Sequence, residues 1–156
     1  MEQREGVVFE APKGKVFLNQ SGLSEPEINT LNNVAKQLFE RVQKKSRYNL
    51  DRCTFFVEPG YKILSEIIKH SSLLSNPRIE GNDKNPFDQH YWVAADLEKA
   101  GERETIIFDP IFGYVGLQKK ASKTIGELAR YYRRKRTVPY GTPYLEGGVR
   151  IKTMSI

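Results

Sequence analysis

The sequence predicts an α+β fold in which N-terminal helices pack on an antiparallel β-sheet. Apolar residues recur at helical spacing in the first half of the chain. Three runs rich in β-branched and aromatic residues follow in the second half, separated by turn residues. A chain of 156 residues is long enough for one domain with a buried core. We therefore expect a single domain over residues 1–138 and an extended or mobile tail over residues 139–156.

The composition is typical of a globular protein with a basic surface. Hydrophobic residues make up 38% of the chain and charged residues 28%, and the net charge is +6. No apolar run approaches the roughly 18 residues of a membrane span, so no membrane span is expected. Residues 1–6 also lack the apolar centre of a signal peptide. We expect a cytoplasmic protein or a secreted effector that is exported by a dedicated system.

Two elements are predicted in the first 45 residues. Residues 7–9 and 15–18 flank a Pro/Gly turn, which favours a short hairpin or, equally, an extended N-terminal arm. Ser24 and Glu27 form a capping box, and apolar residues then recur at three- and four-residue spacing. This pattern predicts a helix over residues 25–45.

The segment around Cys53 contains conflicting signals. A helical stripe of apolar residues ends at about residue 74, but Pro59 interrupts helical hydrogen bonding if the same helix starts at Cys53. We expect a kink at Pro59 or a helix that begins only near Tyr61. Residues 75–88 contain Asn-Pro and Gly-Asn-Asp sequences and are predicted to form a loop.

Three strands and a further helix are predicted in the second half of the chain. The strands cover residues 90–97, 105–108 and 114–118. Short connections with turn residues favour an antiparallel meander. Thr124 and Glu127 form a second capping box, which predicts a helix that ends near residue 136.

Three residues carry the chemical groups of a thiol active site. Cys53 is the only cysteine, so it cannot form an intramolecular disulfide, and a free thiol fits a reducing compartment. A thiol becomes a strong nucleophile when an imidazole takes its proton and a carboxylate orients the imidazole. His90 opens one predicted strand and Asp109 ends the next, so antiparallel pairing would make them neighbours. The sequence therefore predicts a Cys53–His90–Asp109 triad.

These residues resemble the transglutaminase-like and papain-fold toxin or effector branch of the papain-like cysteine protease superfamily. The matching parts are Cys53, the sequence His-Tyr-Trp-Val from residue 90, and Ile-Ile-Phe-Asp-Pro ending at residue 110. The resemblance implies a papain-like or transglutaminase-like fold and an activity on protein amide groups, as a glutamine deamidase, cysteine peptidase or transglutaminase. It also implies an oxyanion donor, for which Asn49, Gln89 and the Cys53 backbone amide are candidates.

A basic run inside the last predicted helix suggests a different function. It contains Arg130, Arg133, Arg134, Lys135 and Arg136. Such cations can bind an acidic protein or phosphates, and the neighbouring Tyr131 and Tyr132 could stack on bases. The ordinary alternative is a solvated helix face whose cations interact with the helix dipole. The sequence thus also allows a non-catalytic module for an acidic protein partner, with nucleic acid as the less favoured partner.

Neither a metal nor a cofactor is predicted. The two histidines and the cysteine lack the short-range pairing that zinc sites use. His70 lies at the end of a predicted helix, where the dipole favours a cation. Taken singly, Cys53, His90 and Asp109 also fit a buried core thiol, a hydrogen-bonded histidine and an Asp-Pro turn. An inactive scaffold of the same fold is a further alternative.

Overall fold

In the computed structural model the chain has an α+β fold, which confirms the class predicted from the sequence. The structure describes residues 6–11, 14–45 and 52–151. Its elements are β1 (Val7–Ala11), β2 (Gly14–Leu18), α1 (Glu25–Lys45), α2 (Cys53–Ile68), β3 (Leu74–Asn82), β4 (His90–Lys99), β5 (Glu102–Asp109), β6 (Tyr114–Leu117), α3 (Ser122–Ile125), β7 (Arg136–Val138), β8 (Tyr144–Glu146) and β9 (Val149–Ile151). Within these residues no helix is long and apolar enough to cross a membrane.

Seven strands form one sheet in the order β1-β2-β6-β5-β4-β3-β7. Neighbouring strands are antiparallel except β2 and β6, which run parallel. The predicted meander is present as β4, β5 and β6. Strands β4 and β5 pair from Val93 opposite Phe108 to Lys99 opposite Glu102, so β4 starts where β5 ends. β8 and β9 form a separate hairpin.

Helices α1 and α2 pack against each other, and their buried side chains share a core with the sheet. The predicted capping box starts α1: the Glu27 N–H donates to the Ser24 hydroxyl at 3.4 Å, and the Ser24 N–H donates to the Glu27 carboxylate at 2.8 Å. The helix predicted over residues 25–45 and the hairpin of β1 and β2 are both confirmed.

Strand β4 is buried on both faces. Tyr91 and Val93 belong to the core formed with α1 and α2, whereas Trp92 and Ala94 belong to a second core on the opposite face. The second core also contains Ile107, Tyr114, Ala121, Ala129, Tyr131 and Tyr132. Burial on both faces explains why β4 has a continuous apolar sequence instead of an alternating one.

Helix α2 begins at Cys53 and continues through Pro59, so a start only near Tyr61 is wrong. A proline inside a helix costs roughly 3 kcal/mol because one backbone hydrogen bond is lost. Burial of the apolar side chains around it, at roughly 1.5–3 kcal/mol each, exceeds that cost. These side chains are Phe56, Val57, Ile63 and Leu64. The helix ends at Ile68, earlier than the predicted end near residue 74.

Strand β3 occupies half of the segment predicted as a loop over residues 75–88. Its turn-type residues have roles inside the strand. Asn76 has a φ of 53°, and the register between β3 and β4 shifts at Asn76 and Pro77, which form a bulge. Gly81 allows close packing of Tyr91, since a Cβ atom at Gly81 would lie 2.3 Å from the Tyr91 Cδ1 atom.

The helix predicted over residues 124–136 is replaced by shorter elements. α3 ends before Gly126, whose φ of 57° lies outside the helical range, and a 3₁₀ segment continues to Tyr132. Tyr131 and Tyr132 are buried in the second core, and Arg136 already belongs to β7. Tertiary packing of the two tyrosines therefore overrides the local helix signal.

The segment predicted as an extended or mobile tail contains β8 and β9. Tyr144 of β8 is fully buried, and its hydroxyl donates a hydrogen bond to the Glu58 carboxylate at 3.2 Å. The Gly141 N–H donates to the same carboxylate at 2.7 Å. These bonds attach the segment to α2. Residues 152–156 lie outside the described residues.

Candidate active site

His90 and Asp109 form a buried hydrogen-bonded pair at one end of the sheet. His90 opens β4 and Asp109 ends β5, and the antiparallel pairing of these strands brings the two residues together. His90 Nε2 lies 2.6 Å from Asp109 Oδ2, and the two residues are only 4% and 0% exposed. A carboxylate in this position holds the imidazole in one orientation.

The Asp109 carboxylate is fixed by three further hydrogen bonds. Its Oδ2 atom accepts one from the Tyr132 hydroxyl at 2.7 Å. Its Oδ1 atom accepts bonds from the backbone N–H groups of Ile111 and Phe112 at 3.0 and 3.1 Å. The Asp-Pro turn after β5 supplies these two amides. Hydrogen bonds therefore fix both oxygens of the Asp109 carboxylate, and this carboxylate in turn positions the imidazole.

Replacing Tyr132 with Phe is expected to lower the free energy of unfolding by about 1.5–3 kcal/mol, because the variant loses a buried hydrogen bond to a charged group. Burial and the Asp109 charge raise the pKa of Tyr132 well above its usual value, so its hydroxyl remains a donor. Urea unfolding measures the change. Tyr131→Phe is the matched control: its hydroxyl binds the exposed Asp88, and we expect a loss below about 1 kcal/mol. Equal losses would contradict the role given to Tyr132.

Aromatic rings surround the His90 imidazole. Phe112 stacks on it with ring centroids 3.7 Å apart and 16° between the planes. The Trp92 ring is stacked at 5.7 Å, and the Tyr131 ring meets the imidazole edge-on at 5.8 Å. These rings restrict rotation of the imidazole and shield it from water.

Cys53 is the first residue of α2, and its side chain is close enough to the His90 imidazole to contribute to raising the pKa of His90. Because Nε2 is bonded to Asp109, the nitrogen left for the sulfur is Nδ1. The thiol is partly exposed. The first turn of α2 contains no acidic residue, and the N-cap residue Arg52 pairs with Glu146 of β8 instead of capping the helix. The helix N-terminus can therefore stabilise negative charge near the sulfur.

The surroundings of His90 favour its protonated form at neutral pH. Burial by itself lowers the pKa of the imidazole. The charge and hydrogen bond of Asp109, together with the contact to Cys53, outweigh burial and raise the pKa of His90 from 6.5 to about 9. An imidazolium next to a sulfur atom stabilises the thiolate, which is the nucleophilic form.

The three oxyanion candidates differ in what the structure shows. Asn49 lies outside the described residues. Gln89 immediately precedes β4, and its Oε1 atom is buried with no hydrogen-bond partner among the described residues. The Cys53 N–H belongs to the first turn of α2, where backbone N–H groups have no partner within the helix. The Cys53 N–H is thus the candidate donor at the thiol, whereas the unpaired atom of Gln89 is an oxygen, which accepts hydrogen bonds.

Glu80, Arg78 and Lys135 form a buried charge cluster that is hydrogen-bonded to the Trp92 indole. Glu80 of β3 is 3% exposed, and its Oε1 atom accepts hydrogen bonds from Trp92 Nε1 at 3.0 Å and from Lys135 Nζ at 3.1 Å. Its Oε2 atom accepts a bond from Arg78 Nε at 2.8 Å. Since Trp92 stacks on His90, Glu80 acts on the imidazole as a positioning residue.

Three of the five cations predicted to bind a partner are engaged within the molecule. The pairs are Arg130 with Asp88, Lys135 with Glu80, and Arg136 with Asp83. Arg133 and Arg134 are exposed and form no ion pair in the part of the chain that the structure describes. Tyr131 and Tyr132, which could have stacked on bases, are 9% and 1% exposed.

No group of three His, Cys, Asp or Glu side chains is arranged for a metal ion among residues 6–11, 14–45 and 52–151. His70 is exposed beyond the C-terminal end of α2, whereas Cys53 is at its N-terminal end. Helix length therefore separates His70 from the thiol.

Phe112, Tyr132 and Glu80 were not predicted from the sequence to belong to the thiol site. Phe112 follows Asp109 closely, so the Asp-Pro turn was a signal that the next residues fold back over the end of β5. Tyr132 reaches Asp109 across 23 residues, and Glu80 reaches Trp92 across 12, with no local pattern that links them. Such contacts depend on which strands are neighbours.

Comparison of the chain with protein-family models, curated proteins and solved structures gives no significant match. The chemical interpretation of the site therefore depends on the contacts among Cys53, His90 and Asp109.

Proposed function

We propose that this protein is a thiol-dependent hydrolase or acyltransferase that acts on protein amide groups, on a papain-like or transglutaminase-like fold. Cys53 is the proposed nucleophile, His90 the general base and acid, and Asp109 the residue that orients His90. One observation carries the proposal: a buried imidazole bonded to a fixed carboxylate lies next to a partly exposed thiol at a helix N-terminus.

In the proposed first step, the Cys53 proton resides on His90 and the thiolate attacks the carbon of an amide carbonyl. A C–S bond forms, and the carbonyl oxygen becomes an oxyanion. The Cys53 N–H is the donor proposed for it. His90 then gives its proton to the departing nitrogen as the C–N bond breaks, which releases ammonia or an amine and leaves a thioester on Cys53.

In the second step, His90 takes a proton from the molecule that attacks the thioester. Attack by water restores the thiol and yields a carboxylate, which is deamidation for a glutamine side chain and peptide cleavage for a backbone amide. Attack by a primary amine forms a new amide, which is transglutamination. For a glutamine-containing protein, new peptide termini identify cleavage, and incorporation of a fluorescent amine identifies transglutamination. Ammonia release in the absence of any added amine, without new termini, identifies deamidation.

Alkylation by iodoacetamide tests the proposed pair without a known substrate. We expect Cys53 to react near neutral pH, and His90→Gln to slow the reaction by about a hundredfold, the size of a general-base contribution. Gln retains a donor for Asp109, so the variant avoids leaving that carboxylate without a partner. Mass spectrometry follows the mass added to the single cysteine.

Cys53→Ala is the blank for this experiment, and His70→Gln is the matched control because His70 is exposed and remote from the thiol. We expect His70→Gln to react at the wild-type rate. A folded His90→Gln variant that also reacts at the wild-type rate would show that His90 does not activate Cys53. That result would favour the non-catalytic binding module.

A further inference from the structure

An open groove of about 530 Å³ lies beside the candidate active site. Its positive lining residues outnumber its negative ones. The groove is lined by Asn82, Lys84, Arg130, Tyr131, Arg133 and Arg134. We refer to it as the cationic groove. Asn85 and the acidic Asp88 complete its wall.

Two arginines of the cationic groove are free to bind a ligand. Arg130 is paired with Asp88 and lies over the Tyr131 ring at 4.5 Å. Arg133 and Arg134 are exposed and make no ion pair among the described residues. Each guanidinium is planar and can donate two parallel hydrogen bonds to one carboxylate. The groove therefore offers a charged, directional site for carboxylate groups.

The cationic groove is directly adjacent to His90. Asn82 is paired with His90 across β3 and β4. The Asn82 side chain also donates a hydrogen bond to the Tyr131 carbonyl at 3.2 Å. Tyr131 lines the groove and meets the imidazole edge-on. The groove therefore adjoins His90 through Asn82 and Tyr131, and His90 is the residue proposed to act with Cys53.

The groove favours a polypeptide over a nucleic acid. Single-stranded nucleic acids gain much of their affinity by stacking bases on exposed aromatic rings. The aromatic ring in the wall is Tyr131, which is 9% exposed and packed between His90 and Phe112. Asn82 and Asn85 offer amide groups that can bond to a peptide backbone. The combination fits an extended acidic peptide.

We propose that the cationic groove binds an acidic segment of the protein substrate, next to the amide group on which Cys53 acts. Arg133 and Arg134 are the residues that select this segment. The inference rests on the proposed function and adds a substrate class to it: proteins in which Asp or Glu residues flank the reactive amide.

Binding of a short fluorescent peptide to the Cys53→Ser protein tests the inference. The peptide carries one glutamine flanked by glutamates, and a second peptide has the glutamates replaced by serines. We expect the double variant Arg133→Gln/Arg134→Gln to bind the acidic peptide at least about fivefold more weakly, since two exposed charge contacts are lost. The serine peptide should bind weakly to every variant, and the acidic peptide should dissociate as salt rises.

The double variant Lys69→Gln/Arg103→Gln is the matched control. It removes the same charge from exposed residues at the far ends of α2 and of the β4–β5 hairpin. We expect less than about a twofold change, because ionic screening limits charge effects over such distances. If both double variants lost the same affinity for the acidic peptide, net charge alone would explain the binding, and the proposal would be overturned.

Two other results would also overturn it. One is equal binding of the acidic and serine peptides. The other is that a single-stranded oligonucleotide binds more tightly than the acidic peptide, and that Arg133→Gln/Arg134→Gln weakens the oligonucleotide binding. That result would identify the groove as a nucleic-acid site. Because this binding is measured without the thiol, it can fail while Cys53 alkylation succeeds. The two hypotheses are therefore tested separately.

Discussion

Asp109→Asn is expected to slow Cys53 alkylation by about a hundredfold or more, because the proton of the neutral His90 ring would move from Nε2 to Nδ1. The backbone amides of Ile111 and Phe112 donate to one oxygen of the residue at position 109. They would hold the Asn carbonyl oxygen there and turn its NH₂ group toward His90 Nε2. The neutral imidazole would then carry its proton on Nδ1, the nitrogen that is not bonded to residue 109, and Nδ1 could not accept the thiol proton.

The same substitution should reverse the pH dependence of stability. In the wild type, the pKa of His90 is raised from 6.5 to about 9, so its stabilising contribution is complete below about pH 6.5 and is lost as pH rises through about 9. The loss amounts to about 3 kcal/mol. In Asp109→Asn the attraction to Asp109 is gone and burial remains, so the pKa of His90 should fall below 6.5. The free energy of unfolding should then increase as pH rises from the lowered pKa to about 6.5 and should level off above that pH.

Two measurements check this prediction. The chain has 2 histidines, so NMR titration of the imidazole protons follows His90 beside the exposed His70. Urea unfolding at several pH values gives the stability curves. A wild-type His90 that titrates near its ordinary pKa, or a variant with the wild-type pH dependence, would contradict the ion pair on which the mechanism depends.

Glu80→Ala is expected to lower the free energy of unfolding by about 3–5 kcal/mol, the usual cost of removing one partner of a buried ion pair. The substitution leaves the largely buried Arg78 and Lys135 without this carboxylate, and Trp92 Nε1 without an acceptor. Urea unfolding measures the loss. Since Trp92 stacks on His90, we also expect slower Cys53 alkylation under conditions where the variant is folded.

Glu66→Ala provides the matched control for Glu80→Ala. Glu66 pairs with Arg41 on the surface, where the Arg41 and Glu66 side chains are 37% and 57% exposed. Exposed pairs contribute about 0.2–1 kcal/mol, so the control should lose no more than that. If Glu80→Ala were as mild as Glu66→Ala, Glu80 could not be what holds Trp92 in place.

The sequence was most informative where local pattern and tertiary structure agree. The capping box at Ser24 and the apolar stripe behind it were sufficient to predict α1. The strands that begin with His90 and end with Asp109 were predicted from composition and short turns. Antiparallel pairing then placed the two residues together, because an antiparallel hairpin of known register fixes which ends meet.

The wrong predictions have a common physical cause: tertiary packing overrides the structure that the local sequence favours. Asn76-Pro77 and Gly81 are typical of loops, but they lie inside β3. Asn76 and Pro77 form a bulge, and Gly81 leaves space for the Tyr91 ring. Pro59 resembles a helix boundary, but buried neighbours keep it within α2. Tyr132 appeared to belong to a solvated helix, although its hydroxyl is bonded to Asp109. The contacts of Gly81 with Tyr91 and of Tyr132 with Asp109 join residues of different elements, and the neighbours of Pro59 are buried by packing against other elements.

The attachment of α2 to β8 has a consequence for the order in which the molecule is made. The Glu58 carboxylate of α2 is satisfied by donors that follow it in the chain by 83 and 86 residues, on Gly141 and Tyr144. Until those donors emerge, the nascent helix carries a carboxylate on a surface that must become buried. Helix α2, which begins at Cys53, therefore acquires its final environment only after residue 144 has been added.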